Sequence, residues 1–310
     1  MVEPGKHGDP AGPVAAVLVG VDGSDSALRA VRWAAAEAAR LDAPLRVINA
    51  FGLLPADRYG AVMAADAGGV LLEAAHEIVS AAIAHARAVA PHSSVTGEVL
   101  RDHPIPRLIT ESRHAQLLVV GDRGRGGITG MLVGSVAVAL AAHAACPVVV
   151  VRGVEHDDPA DACRPVVVGV GEPPDSVAVV RFAFEEAARR GAPLVAVHVW
   201  RHPALMRPEA ALLVDWDAVA TVEWAELSAA VACCAAMFPG VPVQRVHRRG
   251  IAARELVELS TEAQLVVVGT RGHGAVSGIF LGSISHALLH HSSCPVAVVR
   301  PDPVGPSRWS

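Results

Sequence analysis

Short, mainly apolar runs alternate along this chain with longer stretches in which apolar positions recur every three to four residues. The runs at 15–21, 45–50, 95–100, 116–121 and 147–151 predict strands. A first helix is predicted from about Ser24–Ser26, where hydroxyl-bearing residues precede "ALRAVRWAAAEAARL" and can cap it. A second, over about 69–90, places Leu72, Ala75, Ile78, Val79, Ala82, Ile83 and Ala86 on one face. A third covers roughly 104–114, and a fourth starts at Gly134-Ser135. Buried strands, each followed by a helix, predict an α/β fold with a doubly wound parallel sheet.

The pattern then repeats. "VLVGV" (17–21) returns as "VVVGV" (166–170), "AQLLVVG" (115–121) as "AQLVVVG" (263–269), and "CPVVVVR" (146–152) as "CPVAVVR" (294–300). The offset is 149 residues early and 148 later, so a whole domain is duplicated with one residue gained or lost. The expected division is a first domain over 14–152, a polar, Pro-containing linker over 153–164 and a second domain over 165–300.

Composition narrows the function classes. With 52% hydrophobic and 18% charged residues in 310, each half can bury a core. A net charge of −5 without a basic block argues against a nucleic-acid partner. Five cysteines without Cys-x-x-Cys spacing suggest a reducing compartment and a cytoplasmic protein. Gly126 to Val151 lacks Asp, Glu, Lys and Arg, but glycines, His143 and Pro147 interrupt it, and a loop, helix and strand explain it better than a membrane span.

The candidate chemistry lies in "VVGDRGRGGITGMLVGS" (119–135) and its copy "VVGTRGHGAVSGIFLGS" (267–283). In doubly wound sheets ligands bind beyond the carboxyl ends of the strands. Gly121 ends the fourth strand, where a missing side chain lets a ligand lie against the backbone. Gly124 permits a tight, left-handed turn. After nine intervening residues Gly134-Ser135 opens a helix whose free N–H groups and dipole favour an anion. Gly269, Gly272, Gly282 and Ser283 repeat these parts. Arg123 and Arg271 either reach phosphate oxygens or stay solvated. Asp22, after the first strand, either holds ribose hydroxyls or Mg2+, or caps the turn into the first helix, or does both. There is no G-x-x-x-x-G-K-S/T loop, and the one lysine, Lys6, lies in the N-terminal tail, which argues against ordinary P-loop phosphoryl transfer.

Both halves resemble universal stress protein domains of the ATP-binding branch. "VGVDGS" (19–24), the G-2x-G-9x-G-S/T pattern at 121–135 and 269–283, and the closing "CPVVVV" and "CPVAVV" strands carry the resemblance, over about nine-tenths of the chain. It implies two Rossmann-like (adenine nucleotide alpha hydrolase-like) domains, each a five-stranded parallel sheet of order 3-2-1-4-5. It implies ATP, with Gly20, Val21 and Asp22 bordering adenine and ribose, Val47 offering backbone groups to adenine, and Gly121, Gly124, Gly134 and Ser135 holding ribose and phosphates. It also implies that Val148–Val151 and Val296–Val299 pair within the chain as a pseudo-dimer, with a homodimer and an unidentified protein partner as further options. The second copy departs from the pattern: "VGVGEPPDS" puts Gly171 where Asp is expected, so weaker nucleotide binding is expected there.

Other constellations weigh less. His286, His290 and His291 share one helix without a third ligand face, and read as surface histidines. The leading function is an ATP-binding regulatory protein of the stress response. A slow ATPase or phosphotransferase, a nucleotide-free interaction scaffold and, more distantly, a nicotinamide dehydrogenase are the alternatives.

Overall fold

A computed structural model describes residues 15–52, 60–124, 133–153, 163–171, 176–200, 216–270 and 281–300. The first half runs β1 (Ala16–Gly20), α1 (Asp25–Arg40), β2 (Leu45–Ala50), α2 (Gly60–Val89), β3 (Val95–Leu100), α3 (Pro104–Glu111), β4 (Ala115–Gly121), α4 (Ser135–His143) and β5 (Val148–Val151). The second half repeats it as β6 (Val166–Gly169), α5 (Ser176–Arg190), β7 (Leu194–Trp200), α6 (Trp216–Met237), β8 (Val243–Arg249), α7 (Ala252–Leu259), β9 (Leu265–Gly269), α8 (Ser283–His291) and β10 (Val296–Val299). The strands match the apolar runs within a residue. Two helices differ: α2 starts at Gly60 and runs through Gly68 and Gly69, and α3 stops at Glu111, where a 3-10 turn over Ser112–His114 takes over.

Among the described residues the strands form one sheet of ten, ordered β3-β2-β1-β4-β5-β10-β9-β6-β7-β8. Each half therefore has the 3-2-1-4-5 order, and pairing within it is parallel. The halves meet through the antiparallel pair β5–β10, in the register Val296 with Val150, Ala297 with Val149 and Val298 with Val148. Helices α1, α2, α5 and α6 cover one face, and α3, α4, α7 and α8 the other. Both cores cross the seam, because strands such as Val148–Val151 are buried on both sides. Ala30, Ala34, Ala35 and Ala38 are fully buried on α1, and their small side chains let that helix lie close against the sheet.

Charges bind the seam together. Arg190 Nη2 donates to Glu37 Oε2 at 2.6 Å across the halves, and its guanidinium also pairs with Glu186. Arg40 reaches Glu37 at 3.2 Å and Arg189 pairs with Glu186. Both glutamates and Arg190 are buried, so each charge depends on the others. Burial, then the neighbouring Glu186, push the Glu37 carboxyl up, against the pull of Arg190, Arg40 and Arg189. On the opposite face Arg152 Nε donates to Ser292 O at 3.1 Å, and Arg300 donates to Ala142 O. Each half thus sends a cation from its last strand to the carbonyl end of the other's last helix, where the helix dipole favours it. Among the described residues no helix is long and apolar enough to cross a membrane.

Candidate functional site

At the carboxyl edge of the first half, the turn after β1 meets the loop after β4. β1 ends at Gly20, where a Cβ would stand 3.1 Å from Leu108 and 3.3 Å from Val120, so that glycine serves the packing of α3. The Val21 N–H donates to Ile48 O at 2.9 Å, and Asn49 Nδ2 donates to Val21 O at 2.7 Å, holding the strand end in place. Asp22 Oδ1 accepts from Ser24 N at 3.0 Å and from Ser24 Oγ at 2.7 Å. Ser24 is the N-cap of α1 and accepts from Ala27 N at 3.2 Å. Asp22 therefore does shape the turn into α1. Its other oxygen points toward Gly124, 2.5 Å from where a Cβ would stand.

The β4 side closes on it. Ser24 Oγ lies 3.3 Å from Arg123 O, and Gly134 N donates to Asp122 O at 2.7 Å, returning the chain to α4 beside the end of β4. A Cβ on Gly134 would stand 3.8 Å from Gly124 N and from the Arg123 α-carbon. So Asp22, Arg123, Gly124 and Gly134 come together, with Ser135 exposed as the first residue of α4. Its N-cap, Gly134, makes no side-chain cap bond, and a helix start of that kind can accept an anion on its first-turn amides.

Two roles assigned to glycines change. Gly124 has no positive φ; the left-handed glycine of this edge is Gly23, at 81°, in the β1–α1 turn. The space left by Gly121 is taken by α1, not by a ligand: a Cβ there would stand 2.7 and 2.8 Å from the backbone C and O of Ser26. Val47 is not brought to the edge. It sits inside β2 between Val19 and Gly97, with its side chain fully buried.

One residue escaped sequence reasoning. Asp122, 4% exposed, accepts from Ser26 Oγ at 2.6 Å on Oδ1, which also stands 3.5 Å from Arg29 Nη2. Its Oδ2 lies 3.6 Å from Arg123 Nε, and Ser26 Oγ in turn accepts from Arg123 N at 3.3 Å. A charged residue between two loop glycines reads as solvated. The available signal was its mismatch with Thr270 in the second copy.

The second half keeps the frame and changes the chemistry. Gly282 N donates to Thr270 O at 2.8 Å, and α8 begins at Ser283 with Gly282 as an N-cap. Gly269 O accepts from Ser285 Oγ at 2.6 Å. Arg271 and Gly272 lie outside the described residues. Gly171 replaces Asp22, and a Cβ there would meet nothing within 4 Å among the described residues. His198 replaces Asn49, with Nδ1 2.9 Å from Val170 O, and its ring stacks beside His247 on β8 at 5.8 Å. Trp200 and Trp224 join that cluster.

No group of three or more His, Cys, Asp or Glu placed to hold a metal occurs among the described residues. The rings of His286 and His290 lie 4.5 Å apart on α8. Burial, then the neighbouring His286, lower the pKa of His290. What this edge brings together among the described residues is the start of α4 at Ser135, the Asp22 carboxylate and the nearby Arg123 and Arg29.

Comparison with known proteins agrees with this architecture. The family model described as the universal stress protein family matches residues 14–152 and again 163–300. A universal stress protein of Mycobacterium tuberculosis is 36% identical over 293 residues, covering 92% of this chain and 96% of that protein. One from Mycolicibacterium smegmatis is 36% identical over 298 residues, covering 92% and 97%. Among solved structures, a universal stress protein from Archaeoglobus fulgidus aligns over 94% of this chain and 98% of its own, with a TM-score of 0.61 at 19% identity. A shorter one, solved in complex with cAMP, aligns with 45% of this chain at 29% identity and a TM-score of 0.34.

Proposed function

Since the chain belongs to the universal stress protein family, in two tandem copies, we propose that it binds an adenine nucleotide, ATP foremost, at the carboxyl edge of its first half. Occupancy of that edge biases conformation or partner choice in a cytoplasmic stress response. The observation that carries this reading is the meeting of the two loops: Asp22 against Gly124, and Ser24 Oγ 3.3 Å from Arg123 O, beside the uncapped start of α4. Phosphates lie on the first-turn amides from Ser135 onward, with Arg123 at the flank. Asp22 takes ribose hydroxyls through Oδ2 while Oδ1 keeps the turn, and with a triphosphate it is also the carboxylate nearest to hand for Mg2+.

The residues fit such a ligand. A side chain at Gly124 would collide with the Asp22 carboxylate, and one at Gly134 would lie in ordinary contact with the backbone of Asp122, Arg123 and Gly124. The chain has no G-x-x-x-x-G-K-S/T loop, so on this reading the phosphate end falls to amides and arginines instead of a P-loop lysine. The second half, with Gly171 for Asp22, binds more weakly. Mass spectrometry of the small molecule released on denaturing freshly purified protein tests the reading. An adenine nucleotide in substoichiometric or equal amount supports it. Protein that releases none, and takes up none at millimolar ATP with Mg2+, refutes it.

A further inference from the structure

Asp122 stands one residue beyond β4, and its own carbonyl accepts from the N-cap of α4 at 2.7 Å. It therefore adjoins the proposed phosphate end, on which the following inference rests. Three arginines surround it. Arg29 Nη2 lies 3.5 Å from Oδ1 and Arg123 Nε 3.6 Å from Oδ2. Arg152, 9% exposed, feels the same carboxylate and has an Nη1 without a hydrogen-bond partner. At 4% exposure the Asp122 charge is poorly screened by solvent, so it acts on whatever anion approaches.

A neutral residue would serve the local geometry. Thr270 holds the matching place in the second half, where Gly282 N donates to its carbonyl at 2.8 Å, the same closure. What the carboxylate adds is charge. Asp22 and Asp122 against Arg29, Arg123 and Arg152 leave these five groups with about one net positive charge at neutral pH, and exposed Asp25, between Ser24 and Ser26, offsets it further. A fixed carboxylate repels an anion in proportion to the anion's charge, so it opposes free ATP, at roughly four negative charges, more than a phosphate group of about two.

We infer that Asp122 is a specificity-determining residue that selects adenine nucleotides by net charge. It favours those of about two negative charges, AMP or ATP with its Mg2+, over free ATP. It does so by neutralising the arginines beside the phosphate end and by repelling excess charge.

The test is calorimetric titration of the full chain and of Asp122→Asn with AMP, with ATP plus EDTA and with ATP plus Mg2+, at low and at moderate salt. Asn keeps an oxygen to accept from Ser26, and the second half is the same in both proteins. The wild type is expected to bind ATP with Mg2+ at least about tenfold more tightly than free ATP. Asp122→Asn should narrow that gap to about threefold by tightening free ATP, more so at low salt. Asp122→Thr, the residue of the second half, should do the same and serves if the Asn variant folds poorly. An unchanged gap, or an equal weakening for all three ligands, overturns the inference and leaves Asp122 a structural residue. A wild type that binds none of the three removes the nucleotide reading itself, and this inference with it.

Discussion

Adding one methyl group at Gly124 and at Gly121 separates binding from folding. At Gly124 the new Cβ would stand 2.5 Å from Asp22 Oδ2, the mobile end of a half-buried side chain. The carboxylate can swing away, at the expense of the bonds from Ser24 N and Oγ at 3.0 and 2.7 Å. Disturbing that turn should cost about 1 kcal/mol, typical of a damaged helix cap. Losing the ribose partner should cost about 1.5–3 kcal/mol of binding, or ten- to a hundredfold in affinity. At Gly121 the new Cβ would press on the Ser26 backbone at 2.7 and 2.8 Å, which yields only if α1 moves. Overpacking of that kind costs about 1–3 kcal/mol of stability, and about 2–4 °C in Tm per kcal/mol for a body of this size. Thermal melts by circular dichroism and calorimetry with ATP and Mg2+ read the two effects separately. If Gly124→Ala melts well below Gly121→Ala while keeping full affinity, the assignment of the two glycines is wrong.

Other outcomes follow from the same geometry. Arg190→Ala strands Glu37 and Glu186 at the seam with only Arg40 and Arg189 left, and should lower stability by roughly 3 kcal/mol in denaturant melts. Cys163 and Cys233 are exposed while Cys146 and Cys294 are buried, with thiols pushed up to about 12 by desolvation. A disulfide reagent at pH 8 should therefore titrate Cys163 and Cys233 quickly in native protein, and Cys146 and Cys294 only after denaturation. Gly171→Asp meets no described residue within 4 Å at its Cβ, so it should shift stability by no more than about 0.5 kcal/mol. It should also strengthen a second, weak nucleotide equivalent in the same titration.

Much of the fold is legible in the chain because its strands are apolar through and through. Val148–Val151 and Val296–Val299 announce themselves as buried on both faces, and the repeat places them as equivalent partners. The start of α2 is not legible, because Gly68 and Gly69 weaken the helical pattern and tertiary context carries the helix through them. The glycine spacing marks the carboxyl ends of β4 and β9, yet it does not say which glycine serves what. Gly121 makes room for Ser26 and Gly20 for Leu108, and these are contacts between elements far apart in sequence. Asp122 and the Glu37–Arg190–Glu186 cluster stay hidden for the same reason. Each looks like solvated polarity until α1 lies across the end of β4, or the seam brings two helix ends together.

Equilibrium dialysis of the full chain against low-micromolar radiolabelled ATP with Mg2+ tests the central claim most directly. One tightly bound equivalent per chain, lost in Gly124→Ala and retained in Gly272→Ala, is the predicted result. No bound nucleotide, or two equivalents of equal affinity, would contradict it.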